Sequence, residues 1–140
     1  MKKKIAILGS TGSIGKSTLN IIAKDKKNFD VVLLSANNNY KELVKQAKKF
    51  KVKNIIIKNK LLYQKVKKLL KKTKTKVFSG DISITSIIFG KLDLTMSAIV
   101  GLAGLQPTVD AIKVSKTVAL ANKETIICAW HILEKLIKKY

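Results

Sequence analysis

The sequence contains no arginine, and only one proline, one cysteine, one histidine and one tryptophan. A lone cysteine, Cys128, has no internal disulfide partner, and with His131 as the sole histidine there is no Cys/His set of the kind that holds zinc. Without arginine the chain lacks the residue that reads guanine and phosphate bidentately. The eight acidic residues (Asp25, Asp30, Glu42, Asp81, Asp93, Asp110, Glu124 and Glu134) are scattered, and no pair has the spacing of a local carboxylate metal motif. Long apolar runs are also missing. Met1-Lys2-Lys3-Lys4 followed by Ile5–Leu8 opens like a signal peptide, but the apolar run stops at Gly9-Ser10-Thr11-Gly12. No later run approaches the roughly 18 residues of a membrane span. These absences predict a soluble, cytoplasmic protein with no membrane partner.

What the chain does have is an ordinary core-forming composition, 46% apolar over 140 residues, enough for one domain. Its charge is +21, carried by lysine alone. Lysine on otherwise neutral surface positions accounts for that excess, so weak polyanion binding is expected and specific nucleic-acid recognition is not. Cys128 reads as a small core residue and His131 as a structural one on a helix flank.

Short apolar runs alternate with stretches of helical period. Strands are expected at Lys4–Leu8, Phe29–Ala36, Asn54–Ile57, around Val77–Phe78, at Leu92–Met96 and at Thr117–Leu120. Helices are expected after the first glycine loop (Ile14, Leu19, Ile22 and Ala23 on one side), over Tyr40–Phe50, Lys60–Lys72 and Ile82–Ile88, and over Thr108–Val114 with Pro107 in the first turn. A last helix, N-capped by Asn122, lines up Ile126, Trp130, Leu133 and Ile137. The alternation implies an α/β, doubly wound (Rossmann-like) parallel sheet with helices on both faces. In such sheets ligands bind beyond the C-terminal strand ends. Gly9–Gly15, Ala36–Asn39, Ser97–Gly104 and Ala121–Glu124 all follow strands on that edge.

Gly9, Gly12 and Gly15 stand at spacing three between a strand and a helix. Glycine lets the backbone turn tightly and approach a pyrophosphate, and the helix N-terminus offers free N–H groups and partial positive charge. Thr11 and Ser13 add hydroxyl donors. Gly15-Lys16-Ser17 imitates the end of a nucleotide-triphosphate loop, but Ser10 stands where that motif needs glycine. The second strand ends in Asn37-Asn38-Asn39, with no carboxylate for the ribose hydroxyls of NAD. A neutral turn there admits a 2′-phosphate, which favours NADP.

Three stretches, Ile7–Gly15, Ala98–Thr108 and Ala119–Glu124, together resemble the 1-deoxy-D-xylulose 5-phosphate reductoisomerases of the non-mevalonate isoprenoid pathway. Their order and separation carry the resemblance over essentially all 140 residues. It implies NADPH contacts from Thr11, Gly12, Ser13 and Ile14, a 2′-phosphoribose turn at Asn37, Asn38 and Asn39, and contacts near the nicotinamide from Asn122 and Glu124. Lys123 would face the sugar-phosphate substrate and serve catalysis. The family usually has glycine and often a basic residue where Asn37 and Asn38 stand, and glycine at Ser115, where a mild local cost is expected.

The resemblance further implies an NADPH-dependent isomerisation and reduction of 1-deoxy-D-xylulose 5-phosphate to 2-C-methyl-D-erythritol 4-phosphate by a homodimeric enzyme. Its Mg²⁺ or Mn²⁺ would be held by a catalytic domain expected to follow residue 140. Residues 1–140 are thus read as the NADPH-binding domain, unable to turn over alone and without metal ligands of its own. Other readings of the same residues are a different NAD(P)-dependent dehydrogenase domain, and an inactive remnant or polyanion-binding module.

Overall fold

The computed structural model describes all 140 residues. Six strands, β1 (Lys3–Leu8), β2 (Phe29–Ala36), β3 (Asn54–Ile57), β4 (Lys76–Ser79), β5 (Leu94–Ser97) and β6 (Val118–Leu120), form one sheet. All pairings are parallel and the order is β4-β3-β2-β1-β5-β6. The chain winds outward from β1 to β4, then returns to the other side of β1 for β5 and β6. The reversal lies between β1 and β5, where loops leaving the two strands diverge and open a crevice.

Helices α1 (Ser13–Lys24), α2 (Tyr40–Phe50) and α3 (Tyr63–Leu70) precede α4 (Leu105–Val114) and α5 (Lys123–Lys139). Alternating strand residues feed two separate cores. Ile5, Ile7, Val31, Leu34, Ile55 and Ile57 pack with Leu19 and Ile22 of α1, Leu43 and Ala47 of α2, and Val66 and Leu70 of α3. Ala6, Leu8, Val32, Leu33 and Ile56 pack on the opposite face with Ile84, Ile87, Ile88, Leu92 and, from α4, Ala111 and Val114. Val31–Leu34 are accordingly buried throughout, as expected of a strand covered on both sides.

Several expected elements shift. Lys60–Lys72 divides into a 3₁₀ turn at Lys60–Leu62 and α3, because the Asn59 side chain accepts from Leu61 N–H and caps the turn. The Ile82–Ile88 helix is only a 3₁₀ turn at Ile84–Ser86. Ser83 caps it through Thr85 N–H, and the isoleucines around it plug the second core instead of extending a helix. Facing residues shift in α1, where Gly15, Leu19 and Ile22 point inward while Ile14 is exposed.

Of the stripe expected along α5, only Leu133 faces inward. Thr125, Ala129 and Leu133 face inward, whereas Ile126, Trp130 and Ile137 are exposed. The small residues Thr125 and Ala129 allow close contact with the core side, and the helix bends at Ala129 (φ −139°, ψ 15°). Cys128 is exposed, contrary to the expected core position, because it lies beside and not on that inward stripe. His131 is also exposed. No helix is long and apolar enough to cross a membrane.

At Ser115 the geometry shows no source for a local cost. Its backbone is extended (φ −123°, ψ 148°) and its buried hydroxyl lies 2.8 Å from Thr95 Oγ1. A serine there gains a buried partner without needing glycine's freedom.

At the N-terminal sheet edge Asp93 ties three strands together. It accepts from Lys4 N–H (2.9 Å) and from Lys116 Nζ (2.8 Å). The Lys116 hydrogen bond first, then that of Lys4 N–H, hold the Asp93 carboxyl below its ordinary 3.8. A carboxylate depressed in the folded state stabilises the fold above its unfolded pKa, and loses that contribution as pH falls through the folded value. Asp93→Asn should therefore melt below wild type at neutral pH, with the gap closing in acid. Thermal melts of both proteins across that range check it, and a gap constant with pH would contradict the ion pair as cause.

Candidate functional site

The loop after β1 is built by its own chain before any ligand is considered. Gly9 turns with φ +81°, and its N–H donates to both the carbonyl and the hydroxyl oxygen of Ser35, each at 3.1 Å. Ser10 N–H also donates to Ser35 O at 2.8 Å. A Cβ on Gly9 would lie 2.7 Å from the Ala98 carbonyl oxygen, so this turn passes directly under the loop leaving β5. A Cβ on Gly15 would meet Gly9 O and Ser10 Cα, both at 2.5 Å. Gly15 is therefore what lets α1 sit against the loop that launches it.

Gly12 differs from its two neighbours. Its φ is −75°, and an added Cβ would meet only Gly9 O at an ordinary 3.5 Å. It is the N-cap of α1, with no side-chain cap and no acidic residue in the first turn. Ser13 and Ile14 N–H find no acceptor within the chain, while Lys16 N–H closes the first turn on Gly12 O at 2.9 Å. The positive end of α1 is thus bare and open, the arrangement that receives an anion.

A cleft of about 570 Å³ begins at this helix end. Leu8, Gly9, Thr11 and Gly12 form its base, Ser35–Asn37 and Lys58 one flank, and Ala98–Val100 with Leu102 and Ala103 the other. Gly80–Ile82 and Ile84, which follow β4, also line it, as do Gln106, Pro107 and Asp110 of α4. Asp110 is buried, but its carboxylate is met by Gln106 Nε2 (3.0 Å) and Lys113 Nζ (3.6 Å), so it leaves little free negative charge in the cleft.

The residues singled out by sequence divide into groups. Thr11, Gly12 and Asn37 line the cleft; Ser13 and Ile14 are exposed on the first turn of α1 beside it. Asn38 and Asn39 have structural engagements. Asn38 Oδ1 accepts from Asn59 Nδ2 at 2.9 Å, and Asn39 Oδ1 caps α2 through Glu42 N–H. The backbone of this turn is also stapled sideways, since Asn59 N–H donates to Asn37 O.

Lys123 is exposed and Glu124 half-buried at the start of α5, both outside the cleft lining. Asn122 is buried, with every polar atom of its side chain engaged. Nδ2 donates to Ile99 O and Gly101 O, both at 2.7 Å, and Oδ1 accepts from Thr125 N–H as the cap of α5. Its amide therefore holds the cleft wall. Gly104 is needed beneath it, because a Cβ there would lie 2.7 Å from Asn122 Nδ2 and from Ile99 O. The wall is pinned again at its base, where Thr108 Oγ1 donates to Gly104 O and lies 2.7 Å from Ser97 Oγ.

Two further residues, without a motif to mark them, shape the loop. Ser35 anchors the Gly9 turn, and buried Gln46 donates from Nε2 to Ser10 O at 3.0 Å, tying α2 to the loop. Gln46 left a signal: a polar residue beside Leu43, Val44 and Ala47, on the face of α2 that packs inward.

Of metal chemistry the 140 residues carry little, with no group of three His, Cys, Asp or Glu side chains placed to hold an ion. The combination that stands out is a bare helix N-terminus, a glycine turn and a long cleft at a sheet reversal.

Comparison with known proteins gives these features a family. The family model for 1-deoxy-D-xylulose 5-phosphate reductoisomerase matches residues 5–130. A reductoisomerase of that name from Pelagibacter ubique is 52% identical over 140 residues, covering 99% of this chain and 36% of its own. One from Bacteroides fragilis is 41% identical, with the same shares. Among solved structures, the Zymomonas mobilis reductoisomerase in complex with NADPH superposes with TM-score 0.93 at 36% identity, over 99% of this chain and 37% of that one. A reductoisomerase in complex with NADPH, fosmidomycin and magnesium gives 0.89 at 33%, over 98% of this chain and 34% of that one. The chain thus spans about a third of the length of the relatives it matches. It belongs to the 1-deoxy-D-xylulose 5-phosphate reductoisomerase family.

Proposed function

We propose that residues 1–140 are the NADPH-binding domain of a 1-deoxy-D-xylulose 5-phosphate reductoisomerase, which isomerises and reduces that sugar phosphate to 2-C-methyl-D-erythritol 4-phosphate. The observation that carries this reading is the uncapped N-terminus of α1 opening into the cleft, with Gly12 leaving free the volume a side chain would fill. The NADPH complex of the Zymomonas mobilis relative supports it.

The residues present fit the cofactor. Thr11, Gly12, Ser13 and Ile14 would hold the pyrophosphate through free N–H groups, hydroxyls and the helix dipole. Asn37, Asn38 and Asn39 would hold the 2′-phosphoribose, Asn38 and Asn39 through backbone while their side chains keep the turn in shape. Asn122 would set the wall against which the nicotinamide half lies, with Glu124 beside it. NADPH supplies the hydride when bound. Lys123, exposed at the positive end of α5, would meet the anionic substrate and hydrogen-bond oxygen as it gains negative charge. These residues hold no ligand set that fits Mg²⁺ or Mn²⁺.

Calorimetric titration tests the reading: NADPH should bind saturably, one per chain, and more tightly than NADH. Equal affinity for both would favour a dehydrogenase domain of another specificity.

A further inference from the structure

The asparagine turn is neutral, so a dianionic 2′-phosphate seated there needs its cation from elsewhere. Of the 29 lysines in the chain, Lys58 is the one that lines the cleft. It follows β3, the neighbour of β2, and its N–H donates to Ala36 O at 2.9 Å, which fixes it alongside Asn37 across the sheet end. Asn59, the next residue, bonds the turn twice more, through its N–H to Asn37 O and its Nδ2 to Asn38 Oδ1. The β3 end and the asparagine turn are thus one stapled unit. The Lys58 ammonium is half-exposed and held 3.2 Å from Asp81, a carboxylate that is 84% exposed and lines the same cleft.

From this geometry we infer that Lys58 is the specificity-determining cation for the cofactor's 2′-phosphate, with Asp81 as its resting partner. The inference rests on the NADPH reading above. A surface pair between such exposed groups is weak and readily exchanged. A phosphate monoester carries close to two negative charges at neutral pH and three acceptor oxygens, so it outcompetes one exposed carboxylate for the ammonium. NADH, with a hydroxyl at that position, offers Lys58 no such gain. The preference for NADPH then resides in an exchange of partners at the β3 end, beside a turn that itself carries no charge.

The test is calorimetric titration of wild type, Lys58→Met and Asp81→Asn with NADPH and with NADH, with thermal melts confirming that each variant is folded. Lys58→Met should weaken NADPH binding about tenfold, the loss of one charge-assisted contact, while leaving NADH unchanged. Asp81→Asn should tighten NADPH by freeing the ammonium. A wild-type preference for NADPH that survives whole in Lys58→Met overturns the inference and leaves the cofactor reading standing. Equal loss of both cofactors also overturns it, since the lysine would then serve the fold or the common part of the ligand. If wild type binds neither cofactor, the NADPH reading fails and this inference with it.

Discussion

Gly15→Ala is expected to destabilise the fold by about 1–2 kcal/mol net, although alanine is the better helix former. Replacing an interior helical glycine with alanine ordinarily gains about 1 kcal/mol. Here the new methyl would lie 2.5 Å from Gly9 O and Ser10 Cα and 2.7 Å from the Ser10 carbonyl carbon, all backbone atoms with no rotamer to adopt. Relief requires α1 to move off the loop, which strains the Gly9–Ser35 and Gln46–Ser10 hydrogen bonds that set it. Overpacking of this kind costs about 1–3 kcal/mol and sometimes more, which exceeds the propensity gain. Urea denaturation of both proteins measures it. Gly12→Ala, with open space and an ordinary φ, is the comparison variant: it carries no overlap and should lose only the N-cap preference of glycine over alanine, about 1 kcal/mol at most. Equal stability of Gly15→Ala and wild type would contradict the packing described.

The second large effect is expected at Asn122. Asn122→Ala removes the cap of α5, worth about 1 kcal/mol, and takes the donor from two carbonyls of the cleft wall, each costing about 1 kcal/mol or more where water cannot replace it. A total near 3 kcal/mol, seen as a lower denaturation midpoint, is the expected outcome. Asn122→Asp separates the two roles. Aspartate still accepts from Thr125 N–H, but it sets an acceptor where Ile99 O and Gly101 O each require a donor at 2.7 Å. The Asp variant should keep α5 capped yet release the wall, read as faster amide exchange across residues 99–104. Wild-type exchange there in Asn122→Asp would show that the amide clamp does not hold the loop.

The order of elements was legible because glycine, asparagine and short isoleucine-rich runs punctuate the chain where strands end. β2 and α2 match their expected bounds, Phe29–Ala36 and Tyr40–Phe50. Facing was less legible. In α5 Ile126, Trp130 and Ile137 point to solvent and Leu133 alone of the expected stripe is buried, because the rest of the core-side contact is made by Thr125 and Ala129, whose small size permits close approach and gives no hydrophobic signal. In Ile82–Ile88 the apolar residues serve a plug and not a helix face, a distinction set by tertiary contacts with α4.

At the site, the glycine spacing marked one loop and gave its three glycines one role. The structure divides them: Gly9 and Gly15 answer to close backbone contact inside the chain, and Gly12 alone faces open volume. Asn122 was legible as a cap, since an asparagine before a helical period is a local signal. Its grip on Ile99 and Gly101, more than twenty residues earlier in sequence, has no local signature. Lys58 was invisible for the opposite reason, being one lysine among 29 until the cleft set it apart.

That division of the glycines gives the most direct test of the cofactor cradle. Gly12→Asp puts a favoured N-cap residue at the start of α1, so the fold should hold or gain stability, while its carboxylate would occupy the place proposed for the pyrophosphate and repel it. Calorimetric titration of NADPH into wild type and Gly12→Asp, each confirmed folded by its thermal melt, should give one saturable site in the first and none in the second. Equal NADPH binding by the two proteins would contradict the claim that the α1 N-terminus holds the cofactor.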